Sequence, residues 1–277
     1  MVIRSVCRGR RLLRVAGVGA VALGVLTVSA CSSSSGAADS AGSSASGAGA
    51  GKVSGDVTVF AAASLKESFT ELGKKFEQKY PGTEVTFSFG GSDSLAASIN
   101  GGAPADVFAA ASPRTMKLVT DQGGAAGTPV TFVRNRLEIA TLPGNPDELA
   151  SLKDLTRSDL KVVLCDRTVP CGAAAQKALD AGGVKVTPVS YEQDVKSALN
   201  KVALKEADAA LVYRTDVKAA GDKVEGVDFP ESAQAVNDYP ITVLKNAGNT
   251  GAARAFIDLV RSAEGQKVLT EAGFLQP

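Results

Sequence analysis

The strongest constraint on this chain is a change of hydrophobic period that recurs from Asp56 onward. "DVTVFAA" (Asp56–Ala62) is a β-rich apolar run. Ser64–Tyr80 then places Leu65, Phe69, Leu72 and Phe76 on one helical face, and Pro81–Gly82 stops it. Thr83–Phe89 alternates like a strand, and Ser94–Ile99 opens a helix that breaks at Asn-Gly-Gly. Ala105–Ala111 predicts a third strand, followed by a helix from Pro113 to about Gln122. Strands separated by helices imply a parallel sheet with helices on its faces. After Val130–Thr141 the pattern begins again. It predicts a strand over Leu160–Asp166, helices over Gly172–Gly182 and Tyr191–Ala207, and a strand over Asp208–Tyr213. A late strand, Asp238–Leu244, and a final helix, Thr250–Ala272, broken near Gly265, complete it. A late strand after a finished second α/β unit predicts a return to the first lobe. The expected lobes are 56–134 with 237–277, and 135–236, with crossings near Val133–Arg136 and Ala235–Asp238. Ligands of open α/β sheets bind at the carboxyl ends of strands, and hinged lobes close around them.

The chain ahead of this pattern is of a different kind. Five arginines (Arg4, Arg8, Arg10, Arg11, Arg14) precede an apolar run, Val15–Val28, and then Cys31. Basic start, short apolar run and small residues read as a secretory signal over residues 1–30. A cysteine directly after the small residues fits lipidation of Cys31, which anchors the exported protein to the outer face of the cell membrane. The alternative, an uncleaved membrane anchor, asks for a longer apolar span. Arg10–Arg11 raises twin-arginine export, although the surrounding residues match it poorly. Residues 31–55 hold no large apolar side chain except Val53 and read as a flexible tether.

Charge and missing residue types exclude several functions. The chain carries 30 Lys+Arg and 29 Asp+Glu. Removing the five signal arginines leaves 25 against 29, a net charge of −4. That balance argues against nucleic acid as a partner. There is no histidine, so imidazole metal sites and Ser–His or Cys–His catalysis are absent. No G-x-S-x-G elbow occurs, and neither Ser64 nor Ser92 starts an S-x-x-K motif. The four tyrosines form no adjacent pair of the kind an Fe(III) receptor would use. Of the four cysteines, Cys7 falls in the expected signal and Cys31 takes the lipid; Cys165 and Cys171 are expected to be oxidised outside the cytoplasm. Closing so short a loop contributes about 2–2.5 kcal/mol on the chain-entropy model.

The hexapeptide "VFAAAS" occurs twice, at Val59–Ser64 and Val107–Ser112. Both copies read as strand ends that turn into helices. Ser64 with Glu67 has capping-box spacing, and Ser112 precedes a proline at the first helical position. The difference lies in the donors left over. After Ser64 the N–H groups of Leu65 and Lys66 are present, whereas Pro113 has none. The first copy is therefore the better anion cradle, and Ser112 reads as a cap alone. "FGGSDSLA" (Phe89–Ala96) offers a second cradle at Ser92 without the GK[ST] ending of a nucleotide loop.

"VFAAASLKESF", "FGGSDSLAASI", "GAPADVF", "VPCGAAA", "EQDVKSAL", "ALVYRTD" and "YPITVL" stand in an order and spacing that resemble the bacterial periplasmic molybdate-binding proteins of ABC transporters. The resemblance covers Asp56–Pro277, and with Cys31 points to the lipoprotein form. It implies an α/β, two-lobed type II periplasmic binding protein fold with the ligand cleft between the lobes. It implies molybdate, and tungstate, held as an oxyanion without direct metal ligands or a cofactor, and an ABC permease as partner. Ser64 and Ser92 would donate hydroxyl and backbone N–H, Cys171 and Val195 backbone N–H, and Tyr213 its phenol. Sulfate or phosphate is the alternative cargo. A monomer is expected. Two departures stand out. Cys171 replaces an alanine of the family turn and is also half of the expected disulfide. Asp93 sits beside the site and is expected to face outward or to cap the helix at Ser94–Leu95.

Overall fold

The computed structural model describes residues 53–277. The expected signal, the expected lipidation site Cys31 and the expected tether up to residue 52 lie outside the described residues.

Two five-stranded sheets carry the fold. β1 (Gly55–Ala62) is central between β2 (Thr83–Gly90) and β3 (Val107–Ala109), all parallel. The two "VFAAAS" copies lie side by side, with Val59, Phe60 and Ala61 opposite Val107, Phe108 and Ala109. β10 (Asn237–Val243) and β4 (Val130–Asn135) complete this sheet, β10 antiparallel to both β3 and β4. The second sheet runs β7 (Ser190–Glu192), β6 (Val162–Cys165), β8 (Ala209–Tyr213), β5 (Leu137–Thr141), β9 (Glu225–Val227). Both sheets are thus mixed, where the βαβ pattern predicts a parallel one. The antiparallel strands are those the chain uses to change lobe: it leaves the first sheet after Asn135 and re-enters it at Asn237. These two residues pair with each other across β4 and β10.

Helices follow the strands: α1 (Lys66–Lys79), α2 (Ser92–Asn100), α3 (Pro113–Thr120), α4 (Pro170–Ala181), α5 (Val195–Ala203), α6 (Arg214–Ala220), α7 (Thr250–Arg261) and α8 (Ala263–Glu271). In the first lobe Phe69 and Phe76 of α1 pack edge-on against Phe256 of α7 at centroid distances of 5.8 and 5.6 Å. Such pairs add about 0.5–1.5 kcal/mol beyond the area they bury.

Several local expectations change. The helix expected from Tyr191 begins at Val195, because Tyr191 pairs in β7 and the Asp194 carboxylate caps α5 by accepting from Lys196 and Ser197 N–H. The final helix breaks at Ser262 rather than Gly265, since Ser262 Oγ accepts from Gly265 N–H and starts α8 anew. Ser112 is a cap, its Oγ accepting from Thr115 N–H. Ser64 is not. It lies in a 3-10 turn, Ala63–Leu65, and α1 starts without a side-chain cap. The capping box is absent because Ser64 Oγ bonds the Tyr239 hydroxyl at 2.8 Å. The Lys66 N–H is not a free donor either, since Ala63 O accepts it.

Candidate functional site

The parallel strands end at a small cavity between the lobes, with a volume of about 20 Å³. From the first lobe come Ala62–Ser64 after β1, Gly90–Ser92 after β2, and Ala111 after β3. From the second come Val169–Cys171 at the start of α4, Asp194 and Val195 at the start of α5, and Tyr213 at the end of β8. Ser64, Ser92, Cys171, Val195 and Tyr213, the five residues singled out by the sequence, all line this one cavity. One water needs roughly 10–15 Å³ by the same measure, and drug-sized ligands occupy about 300–1,000 Å³. With the lobes as they stand, the space is on the scale of one compact ion.

The hydroxyls that line the cavity share one arrangement. Each is already hydrogen-bonded from behind. Ser92 Oγ accepts from Ala111 N–H at 3.0 Å. Tyr213 Oη accepts from Asn237 Nδ2 at 2.6 Å. Ser64 Oγ pairs with Tyr239 Oη, which accepts from Asn135 Nδ2 at 3.4 Å. The Asn135 amide is oriented by Arg136 N–H, which donates to its Oδ1, so Nδ2 is the donor toward Tyr239. Ser64 Oγ and Tyr239 Oη share one hydrogen bond in which either hydroxyl can donate. A hydroxyl that has accepted from behind still holds one proton to donate forward. Ser92 and Tyr213 thus each keep a proton to donate elsewhere, and such chains polarise cumulatively. Burial, above all, pushes the Tyr213 and Tyr239 phenols well up from their usual range, so both keep their protons.

Helix geometry adds to this. α2, α4 and α5 all begin at the cavity wall, where the first N–H groups of a helix lack partners inside it. Asp194 occupies its carboxylate in capping α5, which leaves the preceding Val195 N–H outside that cap. Cys165 and Cys171 form a disulfide with a Cα–Cα distance of 5.8 Å, tying the end of β6 to the first turn of α4. Gly172 makes the same turn possible: a Cβ there would overlap the carbonyl oxygen of Asp166. No lysine or arginine lines the cavity.

Asp93 differs from both expectations. It is half-buried, and its Oδ1 is shielded from solvent without a hydrogen-bond partner. It neither faces outward nor caps the helix, and it does not line the cavity. It sits beside the lobe contact, where a Cβ on Gly91 would lie 2.6 Å from Gln193 O and 2.9 Å from Asp93 Oδ1.

Asn135, Asn237 and Tyr239 are the residues that sequence reasoning missed. Asn237 Nδ2 donates to Ala111 O at 3.0 Å in one lobe, and lies 3.3 Å from Pro170 O and 2.6 Å from Tyr213 Oη in the other. A usable signal existed: a buried-strand asparagine at each of the two expected crossings.

Residues 57–275 match the family model described as bacterial extracellular solute-binding protein. The chain belongs to this family. The solute-binding protein is 44% identical over 221 residues to the molybdate-binding protein ModA of Mycobacterium tuberculosis, covering 80% of this chain and 85% of that protein. It is 30% identical to the molybdate-binding protein ModA of Haemophilus influenzae, over 80% of this chain and 90% of that one. Among solved structures it superposes on the Azotobacter vinelandii periplasmic molybdate-binding protein with a TM-score of 0.70 at 21% identity, covering 80% of this chain and 99% of that one. The two-lobed α/β architecture of this solute-binding protein is thus that of the periplasmic binding proteins.

Proposed function

We propose that this solute-binding protein captures molybdate, and tungstate, as an intact dianion and delivers it to an ABC permease. The observation that carries this is a cavity rich in donors whose one carboxylate, Asp194, is already engaged in capping α5. Ser92 and Tyr213 each keep a proton after accepting a hydrogen bond, Ser64 adds a third hydroxyl, and Cys171 and Val195 lie at helix starts. Hydrogen bonds to a charged group contribute about 1.5–3 kcal/mol each, so five or more offset a large desolvation penalty. A cavity whose one carboxylate is already engaged favours an anion that carries no proton of its own. Molybdate, tungstate and sulfate meet that condition at neutral pH. Phosphate still holds a proton and would find the Asp194 carboxylate occupied. The names of the relatives favour molybdate within this set. The metal enters as cargo, needs no ligand from the protein, and no resident cofactor is involved.

The same reading places the protein outside the cell as a monomer, exported by the segment 1–30 and anchored by a lipid on Cys31. A Cys31→Ser chain should leave the membrane fraction; a chain that stays membrane-bound would refute the anchor.

A thermal-shift and calorimetry panel of molybdate, tungstate, sulfate and phosphate tests the cargo. Molybdate and tungstate should raise Tm strongly, sulfate and phosphate little. Ser64→Ala and Tyr213→Phe should each weaken molybdate binding by about 10- to 100-fold, the loss of one charge-assisted bond. Stabilisation by phosphate with none by molybdate would make this a phosphate receptor instead.

A further inference from the structure

Three charged residues lie one helical turn below the cavity and take no part in it. Glu67 is in the first turn of α1, three residues after Ser64. Lys196 follows Val195 in α5. Asp216 is in the first turn of α6, three residues after Tyr213. Lys196 Nζ lies 2.9 Å from Glu67 Oε2 and 3.1 Å from Asp216 Oδ1. Glu67 belongs to the first lobe and the other two to the second. One ammonium therefore crosses the lobe boundary beside the donors of both lobes.

Exposed ion pairs contribute little, because ordering two long side chains offsets most of the attraction. Here that ordering is already done. Asp216 is fully buried and neither oxygen has a well-aligned donor, so among the described residues Lys196 is the charge that compensates it. The Lys196 side chain is only 19% exposed. Burial pulls its pKa down, but Asp216 and Glu67 outweigh that and leave it raised, so it stays charged. Lys196 is thus fixed from within its own lobe. Glu67, 50% exposed, meets it only across the boundary.

We infer that Lys196 is a positioning residue for oxyanion capture: held in place by Asp216, it engages Glu67 only when the lobes close, and so keeps the Val195 N–H facing the Ser64 turn and slows release. A second tie across the boundary runs from Arg114 Nη2 to Thr168 O, at the starts of α3 and α4. The Lys196 tie differs in joining the residue after Val195 to a residue three positions beyond Ser64.

This inference rests on the oxyanion reading. The test is stopped-flow release of molybdate from wild type, Glu67→Gln, Lys196→Met and the double variant, alongside apo melting. Glu67→Gln should speed release about tenfold with an unchanged apo Tm, because the open form never makes that pair. Lys196→Met strands Asp216 and can lose stability, so Lys196→Met is also made with Asp216→Asn, which removes the stranded charge. In that background Glu67→Gln should add nothing further, and Lys196→Arg alone should restore slow release. Glu67→Gln releasing at the wild-type rate, or speeding release equally without Lys196, would overturn the clasp and leave the oxyanion reading intact. A wild-type protein that takes up neither molybdate nor tungstate would overturn both.

Discussion

Asp216 is the residue whose chemistry is furthest from that of the free amino acid. Its carboxyl has no access to solvent. Burial raises its pKa to about 6 against the ordinary 3.8, with the Lys196 ammonium opposing that rise and Glu67 adding to it. Tyr213 and Tyr239 also face it and stay neutral. The direction for stability follows from which state holds more protons. Between pH 4 and 6 the folded protein keeps a proton that the unfolded chain has released. Its stability therefore falls as pH rises through that window, and the full penalty is present above pH 6. A shift of about two units corresponds to roughly 2–3 kcal/mol. Asp216→Asn keeps the shape and removes the titration. The apo variant should gain on wild type as pH goes from 4 to 7, by several degrees in Tm. A difference in Tm that is flat across this range would show that Asp216 is not held up in pKa. Closed on its ligand, the variant still carries both partners of the Glu67–Lys196 pair, so the same protein also separates the anchoring of Lys196 from its reach across the lobes.

At the scale of elements, the sequence was legible wherever the determinant is local. β1, α1, β2 and β8 follow from apolar periodicity, and Ser112 was read correctly as a cap because its partner, Thr115, is three residues away. Ser64 carries the same local signal and does something else, because Tyr239, 175 residues distant, competes for its hydroxyl. A capping box cannot show that competition. β7 was hidden for a different reason. It is a three-residue edge strand, too short for any period, and its Tyr191 fits the helical face of α5 by accident. Asp194 did mark the true start, with a polar residue able to accept from the two N–H groups that follow. The cavity lining was legible in part. The turns after β1 and β2 marked Ser64 and Ser92 as candidate cradles, whereas Cys171, Val195 and Tyr213 were expected only from the resemblance; all five line the cavity. What orients them, Asn135, Asn237 and Tyr239, depends on how β10 returns to the first sheet, and no short window of sequence contains that pairing.

For the molecule as a whole, charge and closure make separable contributions to capture. The cavity has no lysine or arginine in its wall, and the chain from Cys31 onward carries 25 basic against 29 acidic residues. A dianion approaching this surface is not drawn in by a basic funnel, so long-range attraction supplies no increase in encounter rate. Retention instead comes from short-range donors and from the lobe contacts around them, which include Asn237 bridging Ala111 O and Pro170 O. Salt separates the two. The screening length is about 10 Å at 0.1 M, longer than a hydrogen bond and comparable to the approach to the cleft. Raising potassium chloride from about 20 to 200 mM should leave the association rate for molybdate unchanged or slightly higher, as a mild repulsion is screened. The dissociation rate should rise modestly, because the half-exposed Glu67–Lys196 pair is screened while the hydrogen bonds inside the closed cavity are shielded from mobile ions. Stopped-flow association across that range decides it. A tenfold fall in the association rate would mean that the cleft attracts the anion through charges that the cavity wall does not contain, and capture would then begin at a basic surface outside it.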